Sequence, residues 1–203
     1  FEPEEEFVLE PGDMLYLPPM WAHDGIAEGE CMTYSVGFRS PKQDELAREL
    51  FLRLSDAPDE CPKDVVYKDP KQTAVAHPGE IPAALLDFAR QALEKALAEP
   101  LALERALGET LSDPKPGVWF EPADDFGLIE NVRLNQRTRM LYDAQHIFIN
   151  GESYLAAGRD AELMRQLADT RQLSSAEVQQ LSDDALQLLS SWVDAGWAHS
   201  TAG

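Results

Sequence analysis

Positive charge is what this 203-residue chain has least of: 17 Lys and Arg stand against 37 Asp and Glu, for a formal net charge of −20. The deficit is spread evenly, with net −8 over residues 1–40, −5 over 41–112 and −7 over 113–203. Such a field repels a phosphate backbone, so direct nucleic-acid binding is disfavoured, and it attracts a basic protein or peptide. The same acidity also serves plain solubility. Cysteine is scarce too. Cys31 and Cys61 offer neither a disulfide framework nor a C-x-x-C spacing, and both read as plain thiols. No apolar run is long enough to span a bilayer, and no basic stretch with an apolar sequel opens the chain. A soluble, cytoplasmic protein without a membrane partner is expected. With 44% hydrophobic residues the chain can bury a core, in one large or two small domains.

One stretch reads as the wall of a chemical site, Leu9 to Phe38, LEPGDMLYLPPMWAHDGIAEGECMTYSVGF. Pro11-Gly12-Asp13 is turn chemistry, since Pro fixes φ and Gly accepts a positive one. It leads into a short apolar strand, Met14 to Leu17, with Phe7 to Leu9 adding another before the turn. Pro18-Pro19 cannot donate to a ladder, so the strand ends or reaches an edge there, and His23 leaves the bend. Gly25 permits a second turn, and Cys31 to Phe38, rich in aromatic and β-branched residues, resumes as a strand. Along it Cys31, Thr33, Ser35 and Gly37 share a small polar face that suits a ligand pocket. Met32, Tyr34, Val36 and Phe38 share a bulky face that suits a core, and the reverse holds open for a barrel buried on both sides. A histidine on a rim between two strands is where a barrel places a metal ligand or catalytic group. A lone histidine that simply bonds a neighbouring loop is the plainer alternative.

The phrase PGDMLYLPPMWAHDG, followed by MTYSVGFRSP, resembles the second half of the JmjC-type cupin oxygenases, specifically the bacterial ribosomal-protein arginine hydroxylases. That resemblance implies iron(II), held by a His-x-Asp pair on an early strand and one histidine on a late strand, with 2-oxoglutarate as cofactor and an arginine of a large-subunit ribosomal protein as substrate. His23 matches the late histidine. Thr33 and Ser35 become candidates to line the cofactor side of the pocket, Tyr34 and Arg39 the substrate side, Arg39 standing either at the mouth or in solvent. None of the four histidines, His23, His77, His146 and His199, is followed two positions on by Asp or Glu, so the other two ligands of the facial triad are missing from these residues. The chain therefore reads as the C-terminal part of a longer enzyme and is expected to be inactive alone.

Beyond Pro41 the pattern becomes helical. Gln43 to Leu54 carries Leu46, Leu50 and Leu54 at spacing four. A proline-rich loop over residues 56–78, with a short segment at Val65-Val66-Tyr67, leads to a helix from Ile81 to Leu97. Pro82 sits in its first turn, and a wide apolar stripe runs through Leu85, Phe88, Ala92, Leu93 and Ala96. Leu101 to Leu111 forms another. Broad apolar faces without a motif form a bundle against the next domain or a second subunit, and the resemblance favours self-association, as in the similar family. In the last part Val118 to Phe120 reads as a strand, and Arg139 to Asp143 and Gln145 to Ile149 as a strand pair. Asn150-Gly151 is a type I′ turn returning through Glu152 to Ala156. Helices follow from Asp160 to Thr170, after the capping box Ser174-x-x-Glu177, and from Ser182 to Ala195. Strands beside short helices resemble a winged helix, and no helix there carries the Arg and Lys row a major groove requires, so it reads as a protein-contact module. His146 and His199 read as structural or solvated.

The fold class expected is α+β: the C-terminal strands of a cupin or jelly-roll (double-stranded β-helix) barrel over residues 1–41, a helical dimerisation region over 42–112, and a winged-helix-like domain over 113–203. The expected role is the C-terminal portion of an iron(II)- and 2-oxoglutarate-dependent hydroxylase, working as a homodimer on a basic ribosomal protein. The rivals are a metal-free cupin adaptor and a winged-helix DNA-binding regulator.

Overall fold

Asn150 and Gly151 both take positive φ, 48° and 90°, in a computed structural model of the protein. This is the type I′ geometry whose twist matches that of a hairpin. The structure describes all residues except 1, 3, 38, 39, 56–64, 71, 72, 74–76, 78, 123–128, 202 and 203. It divides into two compact units, Phe1–Glu45 and Leu46–Gly203.

In the larger unit the turn joins β3 (His146–Ile149) to β4 (Glu152–Leu155), and β2 (Met140–Tyr142) completes an antiparallel sheet in the order β2-β3-β4. A second antiparallel sheet has the order β5-β1-β6, from β1 (Asn131–Leu134), β5 (Gln172–Leu173) and β6 (Ala198–Thr201). Between them in sequence run α4 (Gly158–Thr170), α5 (Ser175–Val178) and α6 (Asp183–Asp194). Their starts follow from local chemistry. Ser174 and Glu177 form a reciprocal capping box, and the Ser182 hydroxyl accepts from the Ala185 N–H. The Asp160 carboxylate in turn accepts from the Ser182 N–H and hydroxyl, fixing the entry to α6 on α4.

Apolar residues of both sheets and all three helices share one core, which holds Val132, Ile147, Ile149, Leu163, Leu167, Leu189 and Trp192. Trp192 meets the Tyr154 ring edge-on at 5.7 Å. Outside that core α3 (Ala102–Ser112) crosses the β2-β3-β4 sheet at Gly108, where any Cβ would overlap the buried Phe148 ring. Ser112 at its end accepts from the Gly151 N–H at 3.1 Å, and Arg53, from α1 (Gln43–Ser55), donates to the Gly151 carbonyl and pairs with Asp113 at 2.5 Å. The hairpin tip is thereby tied to two helices. Gly196, at φ 74°, ends α6 so close to the Glu121 carbonyl that a side chain there would overlap it.

Helix α2 (Ala83–Ala98) begins after Pro82, and none of its residues is buried. Its Phe88 ring meets Tyr67 edge-on at 5.6 Å. Leu85, Leu86, Leu93 and Leu97 of this helix are exposed.

Four expectations need correction. Val118 to Phe120 is not a strand: Val118 closes a turn onto the Lys115 carbonyl, and Trp119 is exposed. Val65 to Tyr67 forms no element. In the smaller unit Phe7–Leu9, Met14–Leu17 and the described part of 31–38 form no strand or other regular element. Strand composition supplies side chains for a sheet, but a ladder needs a neighbouring backbone, and none pairs with these segments among the described residues. The bend expected at Gly25 falls at Gly29, φ 84°.

Candidate functional site

In the smaller unit two turns precede His23. Gly12, at φ 101°, closes the first, with the Asp13 N–H donating to the Glu10 carbonyl and the Glu10 N–H to the Asp13 carboxylate. The second runs over Pro18 to Trp21, where the Trp21 N–H reaches the Pro18 carbonyl at 3.3 Å. It places Met20 at φ 69°, a left-handed conformation that costs a non-glycine residue about 1–2 kcal/mol. His23 follows this strained corner. Its ring is exposed, and Nδ1 stands 3.4 Å from the Trp21 carbonyl oxygen.

Thr33, Tyr34 and Ser35 are exposed neighbours on a segment of the same unit without regular structure, while Arg39 lies outside the described residues. The bulky face expected to form a core is open as well, with Met32, Tyr34 and Val36 each more than three-quarters exposed. Among the described residues no group of three His, Cys, Asp or Glu side chains could hold a metal ion. A single imidazole does not make up an iron site, so no step of chemistry through a metal is derived from these residues.

The larger unit uses its own histidine differently. His146 is buried, its ring stacks on Phe148 at 5.3 Å, and Nδ1 lies 3.1 Å from Asp143 Oδ2. Asp143 Oδ1 also accepts the backbone N–H groups of Gln145 and His146, at 2.7 and 2.6 Å. Burial alone would raise the Asp143 pKa, but the two backbone donors and the His146 ring outweigh it and hold this carboxyl below the ordinary aspartate range. A depressed folded-state pKa contributes stability above the unfolded value and loses it as pH falls through the folded one. Asp143→Asn should therefore flatten the acid limb of stability against pH, measured by denaturant titration at stepped pH. An unchanged acid limb would show that the carboxylate carries no such linkage. On β4 the Tyr154 hydroxyl is pushed up to about 12 by burial and by donation to the Glu152 carboxylate.

Arginines of this unit serve backbone carbonyls. Arg171 donates to Asn135 and Thr138, Arg165 to Ala144, Arg139 to Asp113 and Arg137 to Trp119. Helix α6 opens with Asp183 and Asp184 and contains no Lys or Arg. The strands β1, β5 and β6, which sequence reading missed, carry no chemistry of their own; they wall the core.

Known families account for both units. A JmjC domain matches residues 1–46, the stretch enclosing His23, and a ROXA-like winged helix matches residues 91–199, more than half of the chain. The chain belongs to the ROXA-like winged helix family. It is 27% identical over 204 residues to the ribosomal protein uL16 3-hydroxylase of Escherichia coli, covering 93% of this chain and 52% of that protein. The chain spans about half the length of the curated relatives it matches. Among solved structures, the Escherichia coli ribosomal oxygenase YcfD superposes with a TM-score of 0.62 at 19% identity, covering 82% of this chain and 48% of that one. The same oxygenase in complex with cobalt and 2-oxoglutarate superposes with a TM-score of 0.59 at 20% identity, over 80% and 47% of the two chains. The resemblance carried by PGDMLYLPPMWAHDG is thus borne out, as is an α+β chain with a ROXA-like winged helix toward its end. No described helix is long and apolar enough to cross a membrane.

Proposed function

We propose that this chain supplies the late-strand histidine, the helical region and the winged helix of an iron(II)- and 2-oxoglutarate-dependent hydroxylase acting on an arginine of a large-subunit ribosomal protein. The observation that carries the reading is the JmjC match around His23 in the same chain as a ROXA-like winged helix. Homology to the uL16 3-hydroxylase over 93% of this chain supports it. In this reading His23 is one metal ligand, and the remaining two come from residues outside those described. Thr33 and Ser35 line the cofactor side, and Tyr34 and Arg39 face the substrate. When bound, the metal and 2-oxoglutarate would supply the oxidising chemistry; this chain's part is to hold and orient. Residues 1–203 alone are expected not to turn over.

A net charge of −20 favours a basic ribosomal protein as partner over DNA, and α6, with two aspartates in its first turn, fits no major groove. A ribosomal protein substrate places the enzyme in the cytoplasm. The test is mass spectrometry of large-subunit ribosomal proteins from the host and from a strain lacking the gene. One arginine carrying an extra oxygen atom in the first and not in the second is expected; identical spectra overturn the reading.

The same reading makes the protein a homodimer through α2, whose exposed Leu85, Leu86, Leu93 and Leu97 offer an apolar face. In a two-fold dimer each face meets its own copy, and each buried leucine contributes about 1.5–3 kcal/mol. Light scattering should give twice the chain mass, and Leu93→Glu should halve it while far-ultraviolet dichroism stays unchanged. A monomeric wild-type protein contradicts this assembly.

A further inference from the structure

The β2-β3-β4 sheet ends in an unpaired strand. Among the described residues β4 pairs with β3 alone, in the register Ile149↔Glu152 and Ile147↔Tyr154. Across a two-residue turn those are the residues that exchange hydrogen bonds, so the alternating antiparallel pattern aims the N–H and C=O of Ser153 and Leu155 away from β3. Neither residue's backbone groups have a partner among the described residues. Leu155 is 74% exposed.

Beside this edge runs a groove of about 730 Å³ within the larger unit, lined by Ser153, Tyr154 and Leu155. One wall holds Leu101 and Arg105, from the start of α3; the other holds Asp184, Leu188 and Trp192 of α6. Its floor is apolar. Its charge is negative: Arg105 is already matched by Glu109 at 3.6 Å, whereas Asp184 forms no hydrogen bond or ion pair among the described residues. Asp160, also on the wall, is acidic and engaged with Ser182.

A free strand edge, a groove beside it with Tyr154, Leu155, Leu188 and Trp192 in its lining, and an unmatched carboxylate on its wall suit one kind of occupant. The geometry points to an extended, cationic segment of a partner protein that adds a strand to β4, sets an apolar side chain between Leu155 and Leu188, and brings a Lys or Arg to Asp184. Main-chain bonds to Ser153 and Leu155 supply affinity without sequence demand, and the groove and Asp184 supply the selection. At about 3.3 Å per residue, a partner of some four residues matches the length of β4. An acidic segment would meet the carboxylate with like charge, which excludes it. The inference stands apart from the hydroxylase reading, because neither β4 nor α6 belongs to the unit that carries His23.

The test titrates the full chain with short synthetic peptides followed by calorimetry and by backbone amide shifts. An alternating Lys-Val peptide should bind with shifts at Ser153 to Ala157. Its Glu-Val counterpart should not bind. Leu155→Pro removes the outward N–H and leaves the β3–β4 bonds intact, so it should abolish binding while the remaining amide spectrum keeps its dispersion. Asp184→Lys, at an exposed site, should weaken the Lys-Val peptide at least about tenfold and admit the Glu-Val one. Equal binding of both peptides to the wild type, binding unaffected by either variant, or no binding at millimolar peptide overturns the proposal. So does a self-associated chain that Leu155→Pro renders monomeric, since the edge would then belong to a second copy.

Discussion

Trp192→Ala should remove most of the stability of the larger unit, lowering it by about 3–5 kcal/mol, the range for truncating a buried large aromatic residue. Small domains have only about 5–15 kcal/mol in total, so the variant should be partly unfolded at ambient temperature. The residue is 1% exposed and stands where α6 meets both sheets' core residues, with the Tyr154 ring edge-on against it. No neighbour can slide in to fill an indole's volume, because Leu189 and Val193 are held on the same helix and Ile147 and Ile149 in the central strand of their sheet. Trp192→Phe should recover part of the loss, since it keeps a ring against Tyr154. Trp119→Ala, at a 67% exposed site, should stay within about 0.5 kcal/mol of the wild type. Urea unfolding followed by far-ultraviolet dichroism checks all three; equal midpoints for Trp192→Ala and wild type would mean that α6 does not anchor this core.

What the sequence made legible in the larger unit had a local cause. Asn150-Gly151 demands two positive φ values and therefore a hairpin, and that hairpin is present with the strands expected on either side. Ser174 with Glu177, and Ser182 ahead of two aspartates, mark helix starts by chemistry within three residues. The sheet β5-β1-β6 was missed for the opposite reason. Asn131 pairs with Thr201 and Val132 with Leu173, contacts across long stretches of chain, and β5 is two residues long, too short for any alternation to register. Val118 to Phe120 shows the converse error, in which aromatic and β-branched composition reads as a strand although no strand pairs with it among the described residues.

The smaller unit carries that error furthest and also explains it. Met14 to Leu17 and Cys31 to Phe38 alternate as strands of a buried sheet would, yet Met14, Tyr16, Met32, Tyr34 and Val36 are exposed. Their pattern records a surface meant for neighbours beyond this unit's own backbone, and a JmjC domain matches residues 1–46. The turns at Gly12 and Pro18 to Trp21 form regardless, because their hydrogen bonds close within three residues. His23 was legible through the phrase around it, while its partners were not, since a ligand set is assembled by tertiary contact.

On the proposed hydroxylase reading, His23→Ala in the protein as the cell makes it should abolish arginine hydroxylation of a ribosomal protein, whereas His146→Gln should preserve it. The two histidines differ in what surrounds them. His23 follows a corner held by Pro18, Pro19 and the left-handed Met20, and its exposed ring bonds nothing more than the Trp21 carbonyl at 3.4 Å. That ring is available as a ligand. His146 is buried against Phe148 with Asp143 on Nδ1, so that nitrogen already serves the β2–β3 turn, and glutamine can retain part of that role. A gene-deletion strain complemented with each variant, matched for protein level by immunoblot, gives the readout through the mass of the ribosomal protein. Removing one of three ligands from a facial triad leaves too few donors to fix the metal, so no modified arginine should remain with His23→Ala. Loss of stability is a separate outcome and is read by thermal unfolding of the purified variants, where His146→Gln should lower the midpoint and His23→Ala should not. Full hydroxylation with His23→Ala would remove the metal-ligand assignment from His23, whatever else the JmjC match implies.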